Sequence, residues 1–255
     1  MSKPLRLISR LDIKGSSLIK GVHLEGLRVI GDPNEFARKY YHDGADEIIY
    51  LDIVATLYGR NKLVDIVKQT AKDIFVPMTV GGGVRSILDV EELLNAGADK
   101  IAINSAAVRN PVLISDIAKR FGSQCMVISI EAKQRSDDFW EVMIESGREK
   151  TNMCALEWVK KAEDYGAGEV LLTSIDKEGT MKGFDINLCC KISSKVSVPV
   201  IASGGFGTIE DLINLVKNTD IDGVAIASQL HYQRETLNRI KRASKEHGLN
   251  FRPNV

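Results

Sequence analysis

Two carboxylates in this chain stand where they could do proton chemistry together. Asp12 lies in Leu11-Asp12-Ile13-Lys14 and Glu131 in Ser129-Ile130-Glu131-Ala132-Lys133, each at the end of a short apolar run of β-strand type. Two carboxylates facing one substrate can act as general acid and general base. The competing reading pairs each acid with its neighbouring lysine, Lys14 or Lys133. The matched placement of the two acids, half a chain apart, favours a shared site.

Two glycine runs, Gly81-Gly82-Gly83 and Gly204-Gly205, have chemistry of a different kind. Glycine lets backbone N–H groups come close to an anion. Each run is followed by a strand that ends in small residues beside a helix start, Asn104-Ser105 and Ala227-Ser228. Helix starts favour phosphate. One glycine run is explained by a tight turn. Two such runs, each with the same follower, point to two phosphate sites on opposite rims, and so to an elongated ligand with a phosphate at each end. A third group, Arg6, Glu47, Lys100 and Glu169, places alternating charges at strand starts. Taken alone, these are exposed ion pairs of little energetic worth.

These residues need a frame that brings them together. Apolar runs near 6–13, 47–53, 76–81, 100–104, 126–131, 169–174, 199–203 and 222–227 alternate with helix-like stretches such as Asn34–Asp43, Lys62–Lys72, Ile87–Ala96, Pro111–Phe121, Ala155–Gly166 and Thr208–Asn218. Asp32-Pro33 is a helix-start signal. Eight strand–helix units in 255 residues predict an α/β protein, a (β/α)8 TIM barrel filling residues 1–255 as one domain. Strand ends at the C-terminal face of such a barrel carry the active site. A phrase recurs before the even strands: Gly44-Ala45-Asp46-Glu47, Gly97-Ala98-Asp99-Lys100, Gly166-Ala167-Gly168-Glu169 and Asp220-Ile221-Asp222-Gly223. The halves match as well, Asp12 with Glu131, Asp52 with Asp176, and Asn104-Ser105 with Ala227-Ser228, at offsets of about 120 residues. That is an internal half-barrel repeat. Gln134–Glu149 reads as a polar insertion, a small hairpin after the fifth strand.

Composition narrows the function. Thirty-four basic residues balance 34 acidic ones, which argues against nucleic acid and membrane surfaces as partners. Met1-Ser2-Lys3-Pro4 lacks the long apolar run of a signal peptide, and no apolar stretch approaches a membrane span. Cys125, Cys154, Cys189 and Cys190 read as free thiols in a cytoplasmic protein. His23, His42, His231 and His247 are scattered, so no metal or other cofactor is expected.

At Leu11-Asp12-Ile13-Lys14, Thr79-Val80-Gly81-Gly82-Gly83, Ile103-Asn104-Ser105-Ala106-Ala107, Leu172-Thr173-Ser174-Ile175-Asp176 and Ala202-Ser203-Gly204-Gly205 the chain resembles the cyclase subunit of imidazole glycerol phosphate synthase, over nearly its whole length. The resemblance implies a lyase of histidine biosynthesis that works as a heterodimer with a glutaminase subunit. Ammonia from the glutaminase crosses the barrel and joins a bisphosphorylated substrate, N′-(phosphoribulosyl)formimino-aminoimidazole carboxamide ribonucleotide. The products are imidazole glycerol phosphate and the aminoimidazole carboxamide ribotide. It makes Asp12 and Glu131 the catalytic pair, and turns Arg6, Glu47, Lys100 and Glu169 into the charged gate of an ammonia tunnel. Asp99 falls at the glutaminase interface. Gly83, Asn104 and Ser105 match one phosphate site, and Gly179, Gly204, Gly205, Ala227 and Ser228 the other. Lys20 and Asp176 join the substrate-binding set. The sister isomerase barrel of the same pathway shares the repeat and the phosphate sites but has no need of the four floor charges.

The chain departs from the family at the rim. Glu131 replaces an aspartate and reaches about one methylene further; a misplacement of about 1 Å can cost roughly 100-fold in rate. Arg10 replaces a small cysteine, and its cation can pair with Asp12 and lower its pKa. Gly15-Ser16-Ser17-Leu18 replaces an acidic-glycine-arginine segment, and Glu178 replaces an aspartate near a phosphate. Such changes resemble those of paralogues in surface-polysaccharide synthesis, which conduct ammonia to a nucleotide-sugar amidotransferase. This gives the alternative role.

Overall fold

The computed structural model describes residues 4–54 and 61–252. Met1-Ser2-Lys3, part of the start that lacks a signal-peptide apolar run, lies outside them. Twelve strands are present among the described residues: β1 (Arg6–Lys14), β2 (Ser17–Val22), β3 (Glu25–Gly31), β4 (Glu47–Asp52), β5 (Met78–Gly81), β6 (Lys100–Ile103), β7 (Met126–Ser136), β8 (Phe139–Ile144), β9 (Glu149–Cys154), β10 (Glu169–Ser174), β11 (Val200–Ser203) and β12 (Gly223–Ile226). Eight of them close into a parallel ring, β1-β4-β5-β6-β7-β10-β11-β12 and back to β1. This is the (β/α)8 barrel expected, and the ring strands fall within a residue or two of the predicted runs, except that β7 continues to Ser136.

Side-chain alternation sorts each ring strand into a lumen face and a helix face. Ile8, Ile49, Leu51, Ala102, Val127, Leu171, Ile201 and Ala225 form an inner cluster that fills the lumen. Leu7, Leu11, Ile48, Tyr50, Ile101, Ile128, Leu172 and Val224 pack outward against the helices. On β1 the lumen parity therefore belongs to Arg6, Ile8, Arg10 and Asp12.

The helices start where local chemistry starts them. Asp32 caps Pro33–His42 by accepting from the N–H groups of Asn34 and Glu35, with Pro33 in the first turn. Ser86 with Asp89, and Thr208 with Asp211, form reciprocal capping boxes on Ile87–Ala96 and Ile209–Asn218, at equivalent places in the two halves.

The recurring phrase before the even strands has a physical cause. Asp46 accepts from the N–H of Leu7 at 2.7 Å, Asp99 from Met78 at 2.8 Å, and Asp222 from Val200 at 2.8 Å. Each carboxylate satisfies a backbone donor in the first or second residue of the preceding ring strand. The other copy has Gly168 there, because a Cβ would lie 2.1 Å from the carbonyl oxygen of Ser123.

Each half also carries an antiparallel hairpin over the mouth: β2–β3 after β1 and β8–β9 after β7. The second corrects the reading of Gln134–Glu149 as a polar insertion. Its strand β8 buries Trp140, Val142, Met143 and Ile144, so the segment is part of the core. The first hairpin has no counterpart among the expected elements, yet it buries Leu18, Ile19 and Lys20.

Candidate active site

At the floor of the barrel, Arg6, Glu47, Lys100 and Glu169 meet. Arg6 reaches Glu47 at 2.8 Å and Glu169 at 2.6 Å; Lys100 reaches Glu47 at 3.1 Å and Glu169 at 2.8 Å. Each carboxylate gives one oxygen to each cation, closing a square. Arg6, Glu47 and Glu169 are buried, so the reading of exposed, weak ion pairs fails. Burial disfavours the Arg6 cation, but Glu169 and Glu47 outweigh it and raise its pKa. Asp99, next to Lys100, is exposed on the same face while its carboxylate holds the N–H of Met78.

At the opposite end lie the strand-end carboxylates. Asp12 does not pair with Lys14. Its Oδ1 accepts from Arg10 Nε at 2.9 Å, and its Oδ2 lies 3.5 Å from Lys20 Nζ. Lys20 also pairs with Glu178. Arg10 is 1% exposed, and its Nη1 donates to Thr173 Oγ1 at 2.9 Å and Ser203 Oγ at 3.0 Å. One guanidinium thus links β1, β10 and β11 across the lumen. Burial acts against the Asp12 carboxylate, but the charges of Arg10 and Lys20 prevail and hold its pKa below the ordinary value.

Glu131 has the opposite environment. Burial, opposed by Arg10 and reinforced by Asp12, pushes its pKa up to about 7. The N–H of Gly147 is one partner, and Oε2 is buried without any. Two carboxylates at matched strand ends therefore differ in proton affinity, the arrangement by which one site holds both an anion and an acid near neutral pH.

The two rims repeat one backbone shape. Asn104 and Ala227 have φ/ψ of −124°/−86° and −132°/−76°, and each precedes a short helix, Ser105–Arg109 and Ser228–His231. The glycine runs match too. Gly82 and Gly205 both have φ of +106°, and a Cβ would lie 2.2 Å from the Asp52 oxygen at the first and 2.1 Å from the Gly183 oxygen at the second. Gly82, Gly83, Asn104 and Ser105 line a cavity of about 290 Å³ that also reaches Ser129 and Glu131. Gly179, Gly204, Gly205, Ala227 and Ser228 line a second, of about 20 Å³. Asn104 Nδ2 donates to the Met143 carbonyl at 3.0 Å, and Ser105 Oγ accepts from the N–H of Glu145, so the β8–β9 hairpin is tied to this rim. Asp176 accepts from the N–H of Gln134 at 2.8 Å, which ties the loop after β10 to β7.

Thr173 and Ser203 were not among the expected site residues; Lys20 was, but its pairing with Glu178 was not. Lumen parity on β10 and β11 is a signal that finds the first two; nothing local brings Lys20 to Glu178, 158 residues away. His231, which reads as a packing histidine, stacks on Tyr40 with the tyrosine hydroxyl 2.6 Å from Nδ1. Burial, then the Lys20 charge, lowers its pKa to about 3. The four cysteines are free thiols. Among the described residues no helix is long and apolar enough to cross a membrane, and no cluster of three His, Cys, Asp or Glu could hold a metal ion.

Comparison with known proteins adds independent findings. A family model described as histidine biosynthesis protein matches residues 6–236. A Legionella pneumophila protein named imidazole glycerol phosphate synthase subunit HisF is 64% identical over 207 residues, covering 81% of this chain and 98% of its own. Proteins of the same name from Streptococcus mutans and Prochlorococcus marinus are 45% and 47% identical, covering 97% and 98% of this chain and 98% of their own.

Proposed function

Because the chain belongs to the histidine biosynthesis protein family, in the branch of imidazole glycerol phosphate synthase cyclase subunits, we propose that its mouth uses ammonia to convert the phosphoribulosyl-formimino-aminoimidazole carboxamide ribonucleotide into imidazole glycerol phosphate and the aminoimidazole carboxamide ribotide. The observation that carries the reading is that Asp12 and Glu131, from strands half a chain apart, end at one mouth close enough for the Asp12 charge to act on Glu131, on a barrel with two rims of the same backbone shape. A substrate with a phosphate at each end spans those rims. Gly83, Asn104 and Ser105 hold one phosphate; Gly179, Gly204, Gly205, Ala227 and Ser228 hold the other, with Lys20 and Asp176 beside the substrate. Its reacting centre then lies over the two carboxylates. Glu131, protonated in part near neutral pH, gives a proton as the carbonyl oxygen leaves in ammonia addition. Asp12, as the carboxylate, faces the nitrogen that becomes positive.

The floor square is the gate through which ammonia enters from a glutaminase docked on that face, with Asp99 at the contact. A cytoplasmic heterodimer is the working unit. The relatives bear the synthase-subunit name, and none of these observations favours the separate role of ammonia conduit for a sugar amidotransferase.

The test is turnover of the bisphosphate by the purified chain with ammonium salt, beside Asp12→Asn and Glu131→Gln. Turnover in the parent and its loss in both variants is the expected result. A folded parent that binds the bisphosphate and does not turn it over would overturn the reading.

A further inference from the structure

From the geometry around Arg10 we infer that this arginine is a positioning residue that assigns the two carboxylates their roles: it fixes Asp12 as a permanent anion and leaves Glu131 as the proton-transferring group of the mouth. The inference rests on the cyclase reading for its consequence in turnover, and on the structure alone for its electrostatics.

Arg10 is held from three sides. Nε donates to Asp12 on its own strand, while Nη1 donates to Thr173 on β10 and Ser203 on β11. The guanidinium is planar, so these contacts set its plane and its position in the lumen. Asp12 has no oxygen left over: Oδ1 is taken by Arg10 and Oδ2 faces Lys20. A carboxylate with a buried cation on each oxygen has little affinity for a proton. It also cannot rotate without breaking a charge-assisted hydrogen bond.

Every charged group near the pair acts in the same sense or is already matched. Lys20, from β2, is shared between Asp12 and Glu178. Glu178, from the loop after β10, is consumed by that pairing. His231, from the helix after β12, is kept neutral by burial. Glu131, from β7, faces Arg10 and Asp12 through space; its Oε2 has no partner, and the Gly147 N–H is the bond it accepts. The buried quartet Arg10, Lys20, Asp12 and Glu178 is charge-balanced, so a proton on Glu131 leaves the mouth neutral and its loss adds an uncompensated negative charge. Nη2 of Arg10 is buried and has no acceptor, which shows that the guanidinium is placed for Asp12, Thr173 and Ser203 even with one donor unused.

The experiment is a titration followed by carbon NMR on protein labelled at the side-chain carboxyl carbons of Asp and Glu. Signals are assigned by their absence in Asp12→Asn and Glu131→Gln. In the parent, Asp12 is expected to stay ionised from about pH 4 to about pH 9 while Glu131 titrates in that window. In Arg10→Gln the Asp12 midpoint is expected to rise by roughly one to three units, and that of Glu131 to rise as well. Arg10→Lys, which keeps the charge and loses the fork, should restore part of the shift. An Asp12 midpoint unmoved in folded Arg10→Gln overturns the inference. Should that variant fail to fold, Thr173→Val with Ser203→Ala loosens the guanidinium and keeps its charge; an unmoved Asp12 there overturns it equally.

Turnover gives a second arm. The parent pH profile should show one ionisation in the neutral range, and Arg10→Gln should add a second on the acid side from Asp12. A parent without turnover strikes at the cyclase reading; the NMR arm still decides the role of Arg10.

Discussion

The floor and the mouth of this barrel each hold a quartet of two cations and two carboxylates, and they differ in what is left over. At the floor, four ion pairs close a square in which each carboxylate oxygen faces its own cation. At the mouth, Arg10, Lys20, Asp12 and Glu178 are balanced in the same way, but Glu131 Oε2 and Arg10 Nη2 remain unsatisfied beside them. Unsatisfied buried polar groups cost stability. A saturated network can be kept for structure and gating alone, whereas an unsaturated one in a cleft signals a site that waits for a ligand. The two layers differ in saturation although their compositions are alike.

The sharpest way to break the comparison is to remove the unsatisfied group. Glu131→Gln should lower turnover with ammonium salt by roughly 100- to 10,000-fold. The urea unfolding midpoint should not fall, because no ion pair is lost. A midpoint drop as large as the loss of turnover would show that Glu131 is part of the scaffold.

Removing a member of the saturated layer should do the reverse. Arg6→Met leaves Glu47 and Glu169 with Lys100 alone, and breaking a buried pair in this way costs about 3–5 kcal/mol. Lys100, 18% exposed at its side chain against 8% for Arg6, should cost less when changed to Met. Equal costs in urea unfolding would mean that the floor is wetter than the structure shows.

The pH dependence of stability separates the two acids of the mouth. Glu131 moves from an ordinary 4.5 to about 7 on folding. The folded chain binds the extra proton between those values, so Glu131 causes stability to fall as pH rises from about 4.5 to about 7 and to remain lower above it. Asp12 has the opposite sign: its lowered pKa adds stability above its ordinary 3.8 that is lost as pH falls through the folded value. Subtracting the stability curve of Glu131→Gln from that of the parent isolates the first. A flat difference between pH 4.5 and 7 would remove Glu131 from the role of acid.

The smallest effect expected is at the rim of the floor. Asp99→Ala deletes the acceptor for the Met78 N–H, and should cost about 1 kcal/mol in thermal or urea unfolding. Its weakening of glutaminase binding, measured by titration calorimetry, tests the proposed interface separately.

The ring strands, the carboxylates at Asp12 and Glu131, the glycine rims and the four floor charges were all legible along the chain. They depend on local rules: alternation on a strand, a cap before a helix, a phrase that repeats because each copy meets the same backbone donor. The phrase Gly-Ala-Asp was visible as a repeat, but its cause was not, since the N–H groups it serves belong to strands 21 to 39 residues away. The β2–β3 hairpin was missed because Ser17–Val22 is short and holds a lysine where a strand would put an apolar residue. That lysine is buried only because Glu178 and Asp12 meet it.

Sequence by itself determined the barrel, its twofold internal repeat and the facing of chemistry toward one end, because period, caps and repeats act within a few residues. The pairing of Arg10 with Asp12 was legible too, two residues apart on one strand; only the tertiary structure decided the other ion pairs. It put Arg10 across three strands, closed the floor charges into a largely buried square, and raised the proton affinity of Glu131 by burial. Burial and charge proximity set those outcomes: Arg10 and Lys20 lie only two and eight residues from Asp12, but the partners that hold them in place, Thr173, Ser203 and Glu178, come from more than 100 residues away.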